Sequence, residues 1–143
     1  MSLAAQTIPD GFERHFRRSG LTDPWEPLYS RKTPDSVQIG LVLAEPHCNP
    51  RGLVHGGLIA ALSDNAMGLT CAAALMAEGR DASTGLVTVS LFADYCGSAR
   101  LGQWLQIDPE VTKIGGSIVF VRAIVTSANQ TVASAHATFK ILT

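Results

Sequence analysis

VHGGLIAALSDNAMGLTCAAAL, Val54 to Leu75, is the stretch that decides the fold, since it is long, apolar and almost uncharged. Small and apolar residues occupy every face of the helix that this composition predicts over about 56–78, with Gly79 as its C-terminal stop. A helix of this kind must be wrapped by the rest of its domain. Asp64 is the only residue with a formal charge in the stretch, and an unpaired carboxylate in such a place costs several kcal/mol.

The isolated carboxylate of Asp64 has two interpretations. In the functional one it acts as a base or a nucleophile, because isolated acids in apolar surroundings are rarely structural. In the structural one it caps a break in the helix, or pairs with a distant cation such as Arg122. The sequence offers no nearby cation, since no Lys or Arg occurs between Arg51 and Arg80.

Length, charge and cysteine content limit the class of protein. A chain of 143 residues that is 46% hydrophobic fits a single domain over 1–143. Eleven Lys and Arg against twelve Asp and Glu disfavour an extended nucleic-acid or anionic-membrane surface. MSLAAQTIPD has neither a basic start nor a long apolar run, so we expect no secretory signal, and Asp64 disfavours a membrane helix. Three widely spaced cysteines fit a reducing, cytoplasmic setting.

The remaining sequence predicts one helix and several strands around the central one. GFERHFRRSG, with Phe12 and Phe16 four apart, predicts a short amphipathic helix over about 11–18. VQIGLVLAE predicts a strand by its alternation. After the helix, four further strands are predicted as an antiparallel meander over 85–95, 103–114, 117–127 and 131–142. SIVFVRAIVTS is apolar enough to predict a strand buried on both faces.

These elements predict an α+β fold, an antiparallel sheet wrapped around a long central helix. One helix covers only one face of such a sheet, so self-association is the simplest way to cover the other.

The loop before the central helix carries a recognisable motif. N-P-R-G-L-V-H-G-G starts at residue 49, and Asp64 follows the second glycine by seven residues. This pattern resembles that of the hotdog-fold acyl-CoA thioesterases of the phenylacetate-degradation (PaaI-like) type, and the resemblance extends from about residue 37 to the C-terminus. The matching residues are Asn49, Gly52, His55, Gly56, Gly57 and Asp64.

The resemblance implies hydrolysis of an acyl-CoA thioester to a free acid and coenzyme A, with no cofactor beyond that substrate. It implies a homodimer or homotetramer whose active sites lie at the dimer seam, where the loop of one chain faces the acid of the other. Asp64 would be the general base or nucleophile, and Asn49 would orient the thioester or the water. Gly56 would offer its N–H to the thioester carbonyl, and Thr88 would help to position water.

Further residues are implied as substrate contacts, and each has a plainer interpretation. His55 and Gly57 would contact the substrate, yet a histidine here is more often structural and a Gly-Gly pair often only permits a tight turn. Asn49 could instead cap its own turn, and Thr88 could be an ordinary strand residue. The resemblance also makes Arg100, Lys113 and Ser117 candidate contacts of the coenzyme A phosphates, although most surface basic residues are simply solvated.

A metal site and a non-catalytic function are the two alternatives to a metal-free hydrolase. The four histidines show no metal-binding spacing, so no metal site is predicted. A non-catalytic acyl-CoA binding or sensing module is the alternative, because the same cleft could bind without cleaving. An Asp64→Asn variant that binds but does not hydrolyse would separate the two.

Overall fold

The computed structural model describes residues 8–143, which form one long helix and seven strands. Two short 3-10 turns, Asp23–Trp25 and Glu45–His47, lie in the connections. The helix α1 spans Gly56–Ala77. The strands are β1 Glu13–Arg14, β2 Tyr29–Thr33, β3 Ser36–Val42, β4 Leu86–Tyr95, β5 Trp104–Ile114, β6 Ile118–Ser127 and β7 Gln130–Ile141.

All seven strands form one antiparallel sheet in the order β1-β2-β3-β5-β6-β7-β4. The predicted four-strand meander was wrong, because among its four strands only β5, β6 and β7 follow one another as neighbours, and β4 pairs with β7. Helix α1 lies between β3 and β4 in the chain, and β4 joins the far edge of the sheet beside β7. One long edge of β4 therefore has no partner strand within residues 8–143.

Helix α1 is the centre of the hydrophobic core. By length and composition it could cross a membrane, but 56% of its most apolar window is buried by the same chain. Leu62, Met67 and Leu75 are fully enclosed, and the sheet supplies the surrounding side chains. The hydroxyl of Thr70 accepts a 3.0 Å hydrogen bond from the backbone N–H of Val37, which ties the helix to β3. The helix is thus the core of a domain rather than a free apolar segment.

Strand β6 is buried on one face only, so the predicted burial on both faces was wrong. Its residues alternate between buried and exposed, and Phe120 and Ile124 are 45% and 41% exposed. The apolar composition of the strand reflects an outer sheet face that no described part of the chain covers.

The predicted helix over 11–18 was also wrong, because this segment pairs with the sheet. Glu13 and Arg14 lie opposite Ser30 and Tyr29 in an antiparallel register. The ring of Phe12 packs edge-on against Trp104, with centroids 5.1 Å apart, whereas Phe16 is 48% exposed. The two phenylalanines therefore do not share one apolar face, and pairing with a strand distant in sequence overrides the local helical pattern.

Candidate active site

The start of α1 is fixed by two side chains. His55 is the N-cap residue, and its Nδ1 accepts a 2.8 Å hydrogen bond from the backbone N–H of Gly57. The Tyr95 hydroxyl donates to the carbonyl oxygen of Gly56 at 2.7 Å. The peptide unit between Gly56 and Gly57 is therefore held at both ends. Within residues 8–143 the N–H of Gly56 makes no hydrogen bond, so it is the free donor of the two glycines.

The cap also sets the chemistry of the His55 ring. Because Nδ1 accepts a hydrogen bond, the proton of the neutral ring lies on Nε2. The ring is exposed, so its Nε2–H is open to a ligand. His55 thus has the structural role that its plainer interpretation gives it, and keeps one donor for a substrate.

Asn49 organises the loop that leads into the helix. Its Oδ1 accepts hydrogen bonds from the N–H groups of Arg51, at 2.9 Å, and Leu53, at 3.2 Å. Gly52 closes the turn with φ of +74°, a conformation that favours glycine. The turn-capping interpretation of Asn49 is therefore realised in the structure. Its Nδ2 group has no partner among the described residues and is free to donate.

The Asp64 carboxylate is hydrogen-bonded to Thr88, the residue to which the family resemblance assigned the positioning of water. The Thr88 hydroxyl on β4 donates to the Asp64 Oδ1 atom at 2.7 Å. The alternative pairing of Asp64 with Arg122 is not formed, since Arg122 binds Glu110 at 3.2 Å. Asp64 is half-buried rather than buried, and no cation lies within ion-pair distance of it in the described chain. Its second oxygen, Oδ2, has no hydrogen-bond partner among residues 8–143.

A β-bulge places Thr88 opposite Asp64. Simple alternation would put Thr88 and Phe92 on the same face of β4. The register between β4 and β7 shifts between Thr88 and Ser90, so Thr88 lies beside the buried Phe139, whereas Phe92 lies beside the exposed His136. Bulges often occur beside active sites, where they redirect a side chain. This one turns the Thr88 hydroxyl toward the helix.

Asp64 and Thr88 lie in the wall of a cavity of about 370 Å³. The helix wall is formed by Asp64, Asn65, Gly68, Leu69 and Ala72. The sheet wall contains Gly85, Leu86, Thr88 and Phe139. The segment before β2 supplies the rest of the lining, here named the arginine wall, with His15, Arg17, Arg18, Ser19 and Thr22.

The two halves of the predicted site are separated within one chain. Gly56 and Asp64 are eight residues apart on α1, which corresponds to about 12 Å along the helix axis. The cavity wall contains Asp64 and Thr88 but neither Asn49 nor Gly56. One chain therefore presents an acid half and a loop half in different places.

The proposed coenzyme A contacts are also divided between the two ends of α1. Arg100 forms a β-bridge with Leu53, beside the N-terminal end of the helix. Lys113 and Ser117 flank a hairpin whose Gly115 carbonyl accepts a hydrogen bond from Arg80, beyond the C-terminal end. A single chain does not bring these three residues together.

The structure adds site residues that the sequence did not reveal. Tyr95 reads as an ordinary strand aromatic, and only the bulge turns it toward Gly56. The arginine wall belongs to the segment wrongly predicted as a helix, so no local signal could place it beside Asp64.

The buried thiol of Cys71 and possible metal-binding clusters were the other features of the described chain to consider. Burial raises the pKa of the Cys71 thiol to about 12, so it stays protonated at neutral pH. No group of three His, Cys, Asp or Glu side chains among residues 8–143 is placed to hold a metal ion. Asp64 carries the only carboxylate among the described residues that line the cavity.

Comparison with known proteins gives a consistent result. Residues 51–134 match the model of the Thioesterase superfamily. A Pseudomonas aeruginosa protein named “Putative esterase” is 36% identical over 135 residues, which cover 94% of this chain and 97% of the relative.

Solved structures show the same architecture. A Streptococcus mutans protein bound to acetyl CoA has a TM-score of 0.73 and 25% identity, and the match covers 90% of this chain and 94% of that one. A phenylacetic acid degradation-related protein of Ralstonia eutropha has a TM-score of 0.71 and 18% identity, with 87% and 92% covered. These likenesses confirm the predicted hotdog fold.

Proposed function

Because this chain belongs to the thioesterase superfamily and is therefore a thioester hydrolase, we propose that it cleaves acyl-CoA thioesters with Asp64 as the catalytic carboxylate. The observation that carries this proposal is the hydrogen bond from Thr88 to Asp64 in the wall of the cavity. That bond holds one oxygen of the carboxylate and leaves the other for chemistry. Family membership favours a hydrolase over the non-catalytic binding module.

Coenzyme A is proposed as the thiol half of the substrate. The Streptococcus mutans structure was solved with acetyl CoA, and that protein is similar to this chain over nine-tenths of its length. In this proposal the cavity of about 370 Å³ receives the acyl group, and the coenzyme extends from it to the surface. We assign Arg100, Lys113 and Ser117 to its phosphates as part of this proposal.

The reaction requires only water and side chains. As a general base, Asp64 takes a proton from a water molecule, whose oxygen attacks the thioester carbon. The carbonyl oxygen gains negative charge and accepts hydrogen bonds from the Gly56 N–H and the Asn49 amide. The carbon–sulfur bond then breaks, and the thiolate of coenzyme A takes up a proton. As a nucleophile, Asp64 would attack the carbon itself, and water would cleave the resulting anhydride.

We propose that two copies of the chain complete each site. Strand β4 is a sheet edge with exposed apolar side chains, among them Val89 at 58% and Tyr95 at 51%. A long apolar edge of this kind favours pairing with another strand. Twofold pairing of β4 with its copy would set the two α1 helices antiparallel. The loop half of one copy would then lie toward the acid half of the other.

The same antiparallel arrangement accounts for the divided coenzyme A contacts. Arg100 lies at the N-terminal end of α1, and Lys113 and Ser117 lie at its C-terminal end. In such a dimer the N-terminal end of α1 in one copy lies beside the C-terminal end of α1 in the other. The exposed outer face around Phe120 and Ile124 offers a surface for pairing two dimers into a tetramer.

The function is tested by measuring the release of free coenzyme A with a thiol reagent from a panel of aryl and straight-chain acyl-CoAs. We expect turnover of at least one of these thioesters. Acyl-CoAs that bind without release of thiol would contradict the proposal. Cross-checking with thioesters of N-acetylcysteamine tests the role of the coenzyme, because these lack the nucleotide and should have a much higher KM.

Loss of the Thr88 hydroxyl should slow the reaction without unfolding the protein. Thr88→Val keeps the shape of the side chain and removes the hydrogen bond to Asp64. Because a hydrogen bond to a charged group is worth about 1.5–3 kcal/mol and this one is exposed to solvent, which places it at the low end, we expect about ten-fold lower kcat. Thr88→Ser keeps the hydroxyl and serves as the control. Equal rates for the Val variant and the wild type would remove Thr88 from the site.

A cytoplasmic location is part of the same proposal. Cys48, Cys71 and Cys96 are all free thiols in the structure, as expected in a reducing compartment. Coenzyme A thioesters are likewise intracellular metabolites. Fractionation of the source cells, with detection of the native chain, tests this location.

A further inference from the structure

The cavity that contains Asp64 is more polar than a site for a simple hydrocarbon acyl group requires, because the arginine wall adds two guanidinium groups to its lining. The same lining is apolar at Leu69, Ala72, Leu86 and Phe139. A cavity lined by an acid, by apolar side chains and by cations suits an acyl group that has an apolar middle and a charged end.

The two arginines of the wall differ in their electrostatic state. The Arg18 guanidinium binds the carboxylate of Asp23 at 3.0 Å, so its charge is already compensated. Arg17 forms no ion pair with any described residue, although Asp64 lines the same cavity. Arg17 is thus the uncompensated cation of the wall, and carboxylates and phosphates are the groups whose geometry an arginine matches with paired hydrogen bonds.

The segment that carries Arg17 is fixed in place on both sides. On one side, the backbone N–H of His15 donates to the Leu28 carbonyl at 2.8 Å, next to the β1 pairing. On the other side, the Ser19 and Thr22 hydroxyls lie 3.0 Å apart, and the Asp23 N–H donates to the Ser19 carbonyl at 2.9 Å. Arg17 is therefore presented by an ordered segment.

His15 adds a second polar group to the same wall. Its side chain is buried, and its Nδ1 atom has no hydrogen-bond partner in residues 8–143. Burial lowers the pKa of the ring, and the charges of Lys32 and Arg17 oppose its protonation, although Glu26 favours it. A neutral imidazole with an unused nitrogen beside an unpaired arginine is consistent with a wall that receives a polar ligand group.

We propose that Arg17 is a specificity-determining residue that binds a carboxylate at the far end of the acyl group. The preferred substrates are mono-coenzyme A thioesters of dicarboxylic acids with an apolar aliphatic or aromatic middle. This inference rests on the proposed acyl-CoA hydrolysis and adds the substrate class. The apolar side chains in the lining that Asp64 and Arg17 share favour an acyl chain over the amide-containing pantetheine arm, so Arg17 is assigned to the acyl end rather than to a coenzyme phosphate.

The test compares pairs of substrates of equal length, such as adipyl-CoA with hexanoyl-CoA and suberyl-CoA with octanoyl-CoA. We expect a higher kcat/KM for the carboxylate-bearing member of at least one pair in the wild type. Arg17→Gln should lower kcat/KM for the carboxylate-bearing substrate about ten-fold, mainly by raising KM. The kcat/KM for the uncharged substrate of the same length should stay nearly unchanged. Arg17→Lys, which keeps the charge, should restore part of the difference.

Arg14→Gln is the matched control, since Arg14 also lies in the segment but pairs with Glu26 and does not line the cavity. If Arg17→Gln lowers kcat/KM equally for both members of a pair, and does not lower it for the corresponding thioesters of pantetheine, Arg17 binds a coenzyme phosphate and the inference is overturned. Hydrolysis of monocarboxylic thioesters with no preference in any pair would overturn it while leaving the proposed function intact. Absence of all hydrolysis would instead refute the proposed function.

Discussion

Replacement of Asp64 by Asn is expected to lower kcat by about 10²–10⁴-fold while the protein stays folded, because general base catalysis contributes on that order. The amide is similar in size, and its oxygen can still accept the Thr88 hydrogen bond. It can neither take a proton from water nor attack as a carboxylate. The measurement is steady-state release of coenzyme A at saturating acyl-CoA, with unfolding temperature and oligomeric state compared with the wild type.

Two controls make this result specific. The Kd of Asp64→Asn for a substrate, measured by calorimetry, should be close to the KM of the wild type, because the substitution keeps the size of the side chain. An Asp64→Asn protein that keeps most of its rate would show that the carboxylate is structural. Single-turnover hydrolysis in ¹⁸O-water then tests the nucleophilic role: label in the Asp64 carboxylate identifies an anhydride that water cleaves at the aspartyl carbon, because the general-base route places the label only in the released acid.

Mixing two inactive variants is expected to restore activity. Asn49→Asp keeps an oxygen that caps the loop but loses the Nδ2 donor and adds a negative charge near the thioester, so this variant should be nearly inactive. In a mixed dimer with Asp64→Asn, one of the two seam sites has both residues intact. Random pairing of equal amounts should therefore recover about a quarter of wild-type activity.

The converse mixture provides the matched control. A double variant, Asp64→Asn with Asn49→Asp, paired at random with an equal amount of wild type should leave about a quarter of full activity if sites are shared, and about half if each chain has its own. Variants should be co-refolded so that subunits exchange, and mixed dimers verified by mass spectrometry. No recovery in the first mixture, together with half activity in the second, would contradict a site built from two chains.

Most of the local features of the site follow from short-range sequence patterns. A helix from Gly56 was predictable because small and apolar residues persist through six turns with a glycine after them. The hotdog fold and the thioesterase family were predicted through the resemblance of the motif that begins at Asn49 to that of a known family. The capping role of Asn49 could be anticipated because its loop depends on neighbouring residues. These features are encoded where their interacting residues are close in sequence.

The relation between Thr88 and Asp64 was available only through the family resemblance, and its physical cause was hidden. The two residues are 24 positions apart, and the bulge after Thr88 reverses the alternation that a reader of the strand would assume. Tyr95 depends on the same bulge for its contact with Gly56. A bulge is set by pairing between two strands, so neither strand reveals it alone.

The sequence by itself determined where the central helix and the glycine-rich loop lie, because their conformations depend on residues close to one another in the chain. It also showed that the helix contains a single carboxylate, that of Asp64. Only the tertiary structure decided that residues 11–18 join the sheet, that Arg17 lines the cavity of Asp64, and that β4 is an open apolar edge. Each of these depends on contacts between segments far apart in the chain. The burial and pairing gained in such contacts outweigh the weak local preference of a short segment such as GFERHFRRSG.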